Sequence, residues 1–545
     1  MTQVVTQVVT QVVIVADDLT GAADAAAPFA ARMPTVVSVA PAACRPDAQV
    51  VAVDTDTRYA PGHIAAERVR AAVLRAAGSG ARVVKKIDST LRGNVAAEVA
   101  AAAAVLGGAR PALAVIAPAF PATGRTTLGG VVHLYGVPSG GDIAALLAAE
   151  GLGTRLTGLA VVRDADALGA CFAHAYRTGV DAVVCDGETD DDLAAITAAG
   201  LACAHPVLLT GSAGLTTALA RHMARHMRAQ GERAGRRTSR RTWGRSFAAG
   251  GETGREAVHV PPGPALAVIG SRSGTARAQR AALVATGWTP VTIPPATSSN
   301  MASAVPGAMS RPTVGVAESG GLDAEAVVRA VGEGLAVGDV VLSVDPDAGV
   351  DGGRAGETAG VLAAVAAAVA DRVAVLAVTG GETARALMTR LGATELRIAG
   401  ELEPGVVAGH LTSRPEEDPP RAGHPEEGSE RAGRPDEDVP HAEQSGEDVS
   451  RAWRWGEGSP HKRRPGKDVS HAGRLREDVS HAGQSGEDVS HAGRSGETSL
   501  CVGPPGGGEG LFVTKAGGFG DPGTLVRVLR AVRRAGRAGA GSARA

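Results

Sequence analysis

Lysine is nearly absent from this chain. Lys and Arg together number 55, yet only five are Lys, at positions 85, 86, 462, 467 and 515. Arginine supplies the rest of the positive charge, so a retained lysine marks a place where a compact, flexible ammonium serves better than a planar fork. Net charge is also small, −2 over 545 residues. That gives no ground for nucleic acid or an anionic membrane as partner. The five cysteines (Cys44, Cys171, Cys185, Cys203, Cys501) are far apart and form no CxxC. A reducing cytoplasm fits them better than a disulfide framework, and no metal-ligand spacing appears. The N-terminal "MTQVVTQVVTQVVIVADD" lacks a basic leader region and a small-residue cleavage site, so it reads as the lead-in to a first strand, and a cytoplasmic location is expected. The longest apolar run, Ala359 to Val378, is broken by Asp371 and Arg372. It suits a buried helix, a turn and a buried strand better than a membrane span. Two phosphate signatures are missing as well. No GxxxxGK[ST] occurs, which excludes a Walker-type ATPase, and no GxGxxG opens the first helix as a dinucleotide site requires.

What is present is a regular alternation. Over the first 225 or so residues, short Val-rich runs ("VVIVADD", "TVVSVA", "VVAVDTDTR", "RVVKKIDS", "LAVIAPAF", "LAVVRDAD", "AVVCDGET", "PVLLTGSAG") alternate with Ala-rich helical segments. Most of the runs hold four or more apolar residues and end in a polar or Gly-rich loop, the pattern of buried parallel strands in an α/β domain. Ligands bind beyond the carboxyl ends of such strands. The loops found there offer Asp17, Asp18, Asp24, Arg58, Lys85, Lys86, Asp88, Ser89, Arg92, Asn94, Thr123 and Arg125. Cations for a carboxylate or phosphate, with acids for hydroxyls, suit a small hydroxylated anion. Asp18 and Ser89 each precede a helical run and are also expected as N-caps.

From Arg228 to Pro264 the chain is rich in Arg, Gly and Ser and has neither period, so it reads as a linker. A second α/β segment follows, with "ALAVIGSRSGTARAQRAAL", "DVVLSVDPDAG", "VAVLAVTGGETARALMTRL", "LRIAGELEPGVVAG" and "LFVTKAGGFGDPGTLVRVLRAV". Three of its strand ends carry Gly-containing loops, whose outward N–H groups suit phosphate. Between Gly409 and Leu511 lies a decapeptide repeat, Arg421 to Leu500, with copies such as "HAGQSGEDVS". No copy holds more than three apolar residues, too little burial to offset roughly 1–2 kcal/mol of backbone entropy per residue. Disorder is expected there.

Taken together, "ADDLTGAAD", "DTDTR", "KKIDSTLRGN", "APAFPATGRTTLGG", "VVCDGETDDDL" and "LTGSAGL", followed by "GSRSGTARAQ", "VTGGETA", "GELEPGV" and "TKAGGFG", resemble the four-carbon acid sugar kinase family. The segments run in family order across all but the linker and the repeat. One departure is clear: where the family continues "EPGVPW", this chain has Glu403-Pro404-Gly405-Val406-Val407-Ala408, and the repeat follows.

The resemblance implies two α/β domains with mainly parallel sheets facing across a cleft, plus the repeat insertion. The expected boundaries are a sugar-acid domain over 1–227, a linker over 228–264, a nucleotide domain over 265–409 and 511–545, and the insertion over 410–510. The implied activity is ATP-dependent phosphorylation of threonate, erythronate or 3-oxo-tetronate. Implied substrate contacts are Asp17, Arg58, Lys86, Asp88, Ser89 and Arg92, with catalysis on Asp17, Asp18, Lys86 and Asp88. The base is left open among the three aspartates. ATP falls to Ser271, Gly380, Gly381, Glu382, Thr383, Lys515 and Gly517. Mg²⁺ is expected with the nucleotide, with no residue assigned to it. The expected partners are a small sugar acid and ATP.

Overall fold

A computed structural model describes residues 10–39, 47–108, 110–238, 260–293, 324–345, 355–412 and 510–542. The TQVV lead-in, most of the linker and the decapeptide repeat lie outside the described residues.

The first half contains β1 (Val12–Ala16), β2 (Thr35–Ser38), β3 (Val50–Asp54), β4 (Arg82–Lys86), β5 (Leu113–Ala117), β6 (Arg125–Leu128), β7 (Val131–Leu134), β8 (Val137–Asp142), β9 (Thr154–Thr157), β10 (Ala182–Cys185) and β11 (Val207–Gly211). The second half contains β12 (Ala265–Ile269), β13 (Thr289–Ile293), β14 (Val340–Val344), β15 (Val375–Thr379), β16 (Glu395–Glu403), β17 (Val406–Thr412) and β18 (Leu511–Lys515). β1, β3, β5, β12, β14 and β15 are buried at every residue, as strands covered on both faces must be.

The two halves share one sheet of fifteen strands, in the order β13-β14-β12-β15-β18-β17-β16-β2-β3-β1-β4-β11-β5-β10-β9. All neighbours are parallel except at the junction, where β18, β17, β16 and β2 pair antiparallel in turn. The halves are therefore hydrogen-bonded edge to edge rather than only facing each other. β16 makes this possible because its nine residues outrun its partners: Glu395 to Arg397 pair with Ser38 to Val36 of β2. Two exposed sheet edges are thereby removed. The Leu19–Ala30 helix packs over this junction, against β2 and β3 on one side and β16, β17 and the Gly381–Arg390 helix on the other.

β17 and β18 flank the repeat and pair directly, from Val406 with Lys515 to Gly409 with Phe512. The insertion therefore connects two adjacent strands and leaves their ladder intact. Loop-closure cost rises only logarithmically with length.

Four local expectations are corrected. "LAVVRDAD" is helical: Leu159–Val162 forms a short helix, and Asp164 caps the next by accepting from Asp166 and Ala167 N–H. A four-residue apolar run does not distinguish strand from helix, and the strand lies just upstream as β9. Second, β6, β7 and β8 form a small antiparallel sheet that the alternation did not announce. Third, Asp18 caps the Leu19–Ala30 helix as expected, but Ser89 caps nothing, because the next helix begins only at Val95 after Asn94. Last, the Ala213–Thr238 helix runs into the segment read as linker. Among the described residues, no helix is long and apolar enough to cross a membrane.

Candidate active site

β4 ends in the two lysines, and strand alternation sends them to opposite faces. Lys85 is fully buried, paired with Glu98 at 2.8 Å, and donates to the carbonyls of Val15 (3.2 Å) and Lys86 (2.7 Å). It joins three segments beneath the site. Lys86 is also buried, at 4 % exposed, yet its ammonium makes no hydrogen bond or ion pair with the described residues; it lines a cavity of about 420 Å³, open mouth included.

Arg58 organises the acids around that cavity. Its Nε and Nη2 donate to the two oxygens of Asp17 at 2.7 and 2.9 Å, and Nη1 donates to Asp18 Oδ2 at 2.7 Å. Asp88 lies 3.7 Å from Nη2. With its donors so occupied, Arg58 is a clamp for carboxylates. Asp17 is the other half of that clamp and does not line the cavity. Burial alone would raise the Asp17 pKa, but the Arg58 charge and hydrogen bonds hold it below the ordinary carboxylate range. Asp88 is tied to Arg92 (2.8 and 3.0 Å) and to the Thr90 hydroxyl, and these contacts outweigh burial to hold its pKa far down. Both carboxylates are poor proton acceptors at neutral pH.

Asp18 sits between two helix N-termini. Its Oδ1 accepts from Gly21 N–H (2.8 Å) and its Oδ2 from the Thr20 hydroxyl (2.7 Å). A Cβ on Gly381 would come within 2.5 Å of Oδ2. Gly381 opens the helix after β15, so this glycine is one of the places where the two halves touch.

Two cavity residues that the sequence placed in loops, with no role assigned, lie in regular elements: Asp24 inside the Leu19–Ala30 helix and Arg125 at the start of β6. Asp24 is 3 % exposed, and its Oδ1 has no hydrogen-bond partner. Burial raises its pKa to about 7, opposed by Lys86 and reinforced by Glu401 and Asp18. Arg125 is 7 % exposed, and its Nε likewise has no partner. Thr20, Ser89, Thr90, Arg92, Phe120 and Ser212 complete the wall from the first half, and Ala516, Gly518 and Phe519 close it from the second. Phe120, Ser212 and Phe519 were not singled out by the sequence; their motifs were legible, but the direction of each side chain was not.

The nucleotide residues expected from the sequence gather at the ends of three adjacent strands, β12, β15 and β18. Gly270 and Ser271 follow β12, Gly380 and Gly381 follow β15, and Ala516 and Gly517 follow β18. Small residues are required because the loops touch. A Cβ on Gly517 would fall 2.0 Å from Ser271 Oγ, and one on Gly270 would fall 1.9 Å from Thr383 Oγ1. Gly380 takes φ +97°, open to glycine and strained for other residues. Glu382 is half-buried in the first turn of its helix, and burial raises its pKa. Lys515 is buried beneath these loops rather than in them. Its ammonium donates to the carbonyls of Ala516 (2.7 Å) and Gly517 (3.5 Å), and burial lowers its pKa to about 7. Arg385, one turn further along the Gly381 helix, pairs with Asp54 and with Asp56 (3.4 Å) of the "DTDTR" stretch.

A charged cavity in one half is thus completed by glycine loops of the other. Residues 12–219 match the family described as a sugar-binding N-terminal domain, and residues 266–423 the family described as a nucleotide-binding C-terminal domain. Two curated relatives are similar over most of their length. The D-threonate kinase of Cupriavidus necator is 36% identical over 414 residues, covering 72% of this chain and 88% of that protein. The D-threonate kinase of Bordetella bronchiseptica is 30% identical over 420 residues, covering 73% and 89%. A solved protein from Salmonella typhimurium LT2 shares the fold, with a TM-score of 0.52 at 20% identity over 74% of this chain and 93% of that one. The chain belongs to the four-carbon acid sugar kinase family and is a phosphotransferase.

Proposed function

We propose that the chain transfers the γ-phosphoryl group of ATP to the terminal hydroxyl of a four-carbon sugar acid, with D-threonate the first candidate from the names of the two relatives. The carrying observation is the cavity itself: two buried cations with no ion-pair partner among the described residues, Lys86 and Arg125, share it with Asp24, a carboxyl whose Oδ1 has no hydrogen-bond partner among them. Lys86 and Arg125 take the acid's carboxylate, and Ser89 and Arg92 border its hydroxyls. Asp24 accepts the proton of the attacking hydroxyl, a role suited to a carboxyl raised to about 7. The hydroxyl oxygen bonds to the γ-phosphorus as the bond to the β–γ bridging oxygen breaks, and ADP leaves. Positioning and charge neutralisation supply most of the catalysis.

In this reading Arg58, Asp17 and Asp88 act by holding Asp18 and the loops in place. ATP lies on Ser271, on Gly380 to Thr383, and on Gly517, with Lys515 supporting the last loop from below. Among the described residues no three His, Cys, Asp or Glu side chains stand together as a metal cage. Mg²⁺ is proposed to arrive with ATP, since phosphates and water supply most of its ligands in such sites; Asp18 is the carboxylate beside the Gly381 loop. The proposed division is a sugar-acid domain that runs to the end of the Ala213–Thr238 helix and a nucleotide domain from β12 to β17 that resumes at β18, separated by a linker and interrupted by the insertion.

A coupled assay of ADP release over D-threonate, D-erythronate and 3-oxo-tetronate tests the reading. Turnover with at least one tetronate, dependent on both ATP and Mg²⁺, is expected. ATP hydrolysis indifferent to every tetronate defeats it.

A further inference from the structure

The loop from Ala516 to Asp521 is fastened entirely to its own half. Ser273 Oγ donates to the Gly517 carbonyl (2.8 Å), and Gln279 Nε2 donates to the carbonyls of Phe519 (3.1 Å) and Asp521 (2.8 Å). Lys515 holds it from beneath, and Gly517 backs onto Ser271. Only the Phe519 ring crosses over. It lies 4.6 Å from the Arg125 guanidinium and meets Phe120 edge-on, with centroids 6.1 Å apart. Gly405, at φ +77°, leaves room for the ring, since a Cβ there would come within 2.4 Å of it. The whole chain has six phenylalanines, and two of them meet here.

We propose that Phe519 couples the two substrates: it is a wall of the acid pocket carried on the nucleotide loop, so ATP and the sugar acid strengthen each other's binding, and the ring limits the length of the acid. The inference rests on the kinase reading above. Arg125 has a buried Nε without a partner, and the ring face stabilises and orients its guanidinium. Nucleotide contacts to the Gly517 loop bear on the ring it carries, and the ring bears on the cation that meets the carboxylate. Binding linkage is reciprocal, so the acid must tighten the nucleotide by the same factor.

The test uses the full chain and whichever tetronate gives the fastest ADP release. Its affinity is measured by calorimetry with and without a non-hydrolysable ATP analogue and Mg²⁺. Acid affinity is expected to rise at least about fivefold with the analogue. Phe519→Ala should abolish that gain and raise the kcat/KM of a five-carbon aldonate relative to the tetronate. Unchanged acid affinity in the wild type on adding the analogue overturns the coupling without need of a mutant. So does a folded Phe519→Ala variant that retains both the gain and the length preference. Absence of ADP release with any tetronate in the wild type is a separate result, which defeats the kinase reading and this inference with it.

Discussion

The two sides of the active site handle negative charge by different means. On the sugar-acid side the charges are on side chains: Arg58 holds Asp17 and Asp18, Arg92 holds Asp88, and Lys86 and Arg125 have no ion-pair partner among the described residues. On the nucleotide side, glycines bring strand-end loops so close that a methyl group at Gly270 or Gly517 would overlap a neighbour. A small acid offers one compact charge and several hydroxyls, which discrete, preoriented side chains can read. A triphosphate spreads its charge over many oxygens, which rows of backbone N–H groups can follow. The contrast matches the lining: Asp18, Arg58, Asp88 and Arg92 stand against opposite charges, whereas the facing residues Ala516, Gly518 and Phe519 carry none.

The harshest way to break the comparison is Arg58→Ala. It leaves Asp17 and Asp18 buried without their cation, and removing one partner of a buried pair costs about 3–5 kcal/mol. Chemical denaturation should show that loss, with turnover abolished.

Next come two glycines that separate the halves. Gly517→Ala clashes with Ser271 alone and should weaken nucleotide while leaving acid affinity, measured without nucleotide, unchanged. Gly381→Ala drives a methyl into Asp18 and should weaken both ligands. Calorimetry on the two variants distinguishes them, and identical effects would mean that the halves do not divide the labour.

Lys86→Met is milder. It keeps the stem and deletes the charge, removing a charged hydrogen bond worth about 1.5–3 kcal/mol, or roughly ten- to hundredfold in kcat/KM. Melting temperature should hold, because the ammonium has no partner among the described residues to lose. Lys86→Arg should rescue poorly in so tight a site.

The smallest effect is a slope. Burial raises Asp24 from the ordinary 3.8 to about 7, so the folded chain holds a proton that the unfolded chain has released between those values. This contribution to stability is complete below about 3.8 and disappears as pH rises through about 7. Asp24→Asn removes it. The variant should therefore gain on the wild type in melting temperature from pH 4 to pH 7, and parallel curves would show that Asp24 is not raised.

Most of the parallel strands were legible because buried strands write themselves as short apolar runs before polar loops. The glycine loops were legible because close backbone approach tolerates little else. Three things were not. Asp17 and Asp18 are neighbours in sequence, but only Asp18 lines the cavity, and that depends on where Arg58 arrives from forty residues away. Asp24 lies inside a helix whose surroundings come from both halves, so its burial had no local sign. The β16–β2 pairing joins segments more than three hundred residues apart, and no pattern within either segment specifies the other.

The β17–β18 ladder has a practical consequence. Thr412 and Gly510 end and begin segments that hydrogen-bond to each other, so the backbone between them is a natural place to open the chain. Two separately expressed pieces, one ending near Thr412 and one beginning near Gly510, would regain the ladder from Val406 to Gly409 on meeting. The smaller piece carries Lys515, Gly517 and Phe519. Reassembly would restore the last loop and its activity at once, which makes the break point suitable for a split-enzyme reporter of proximity.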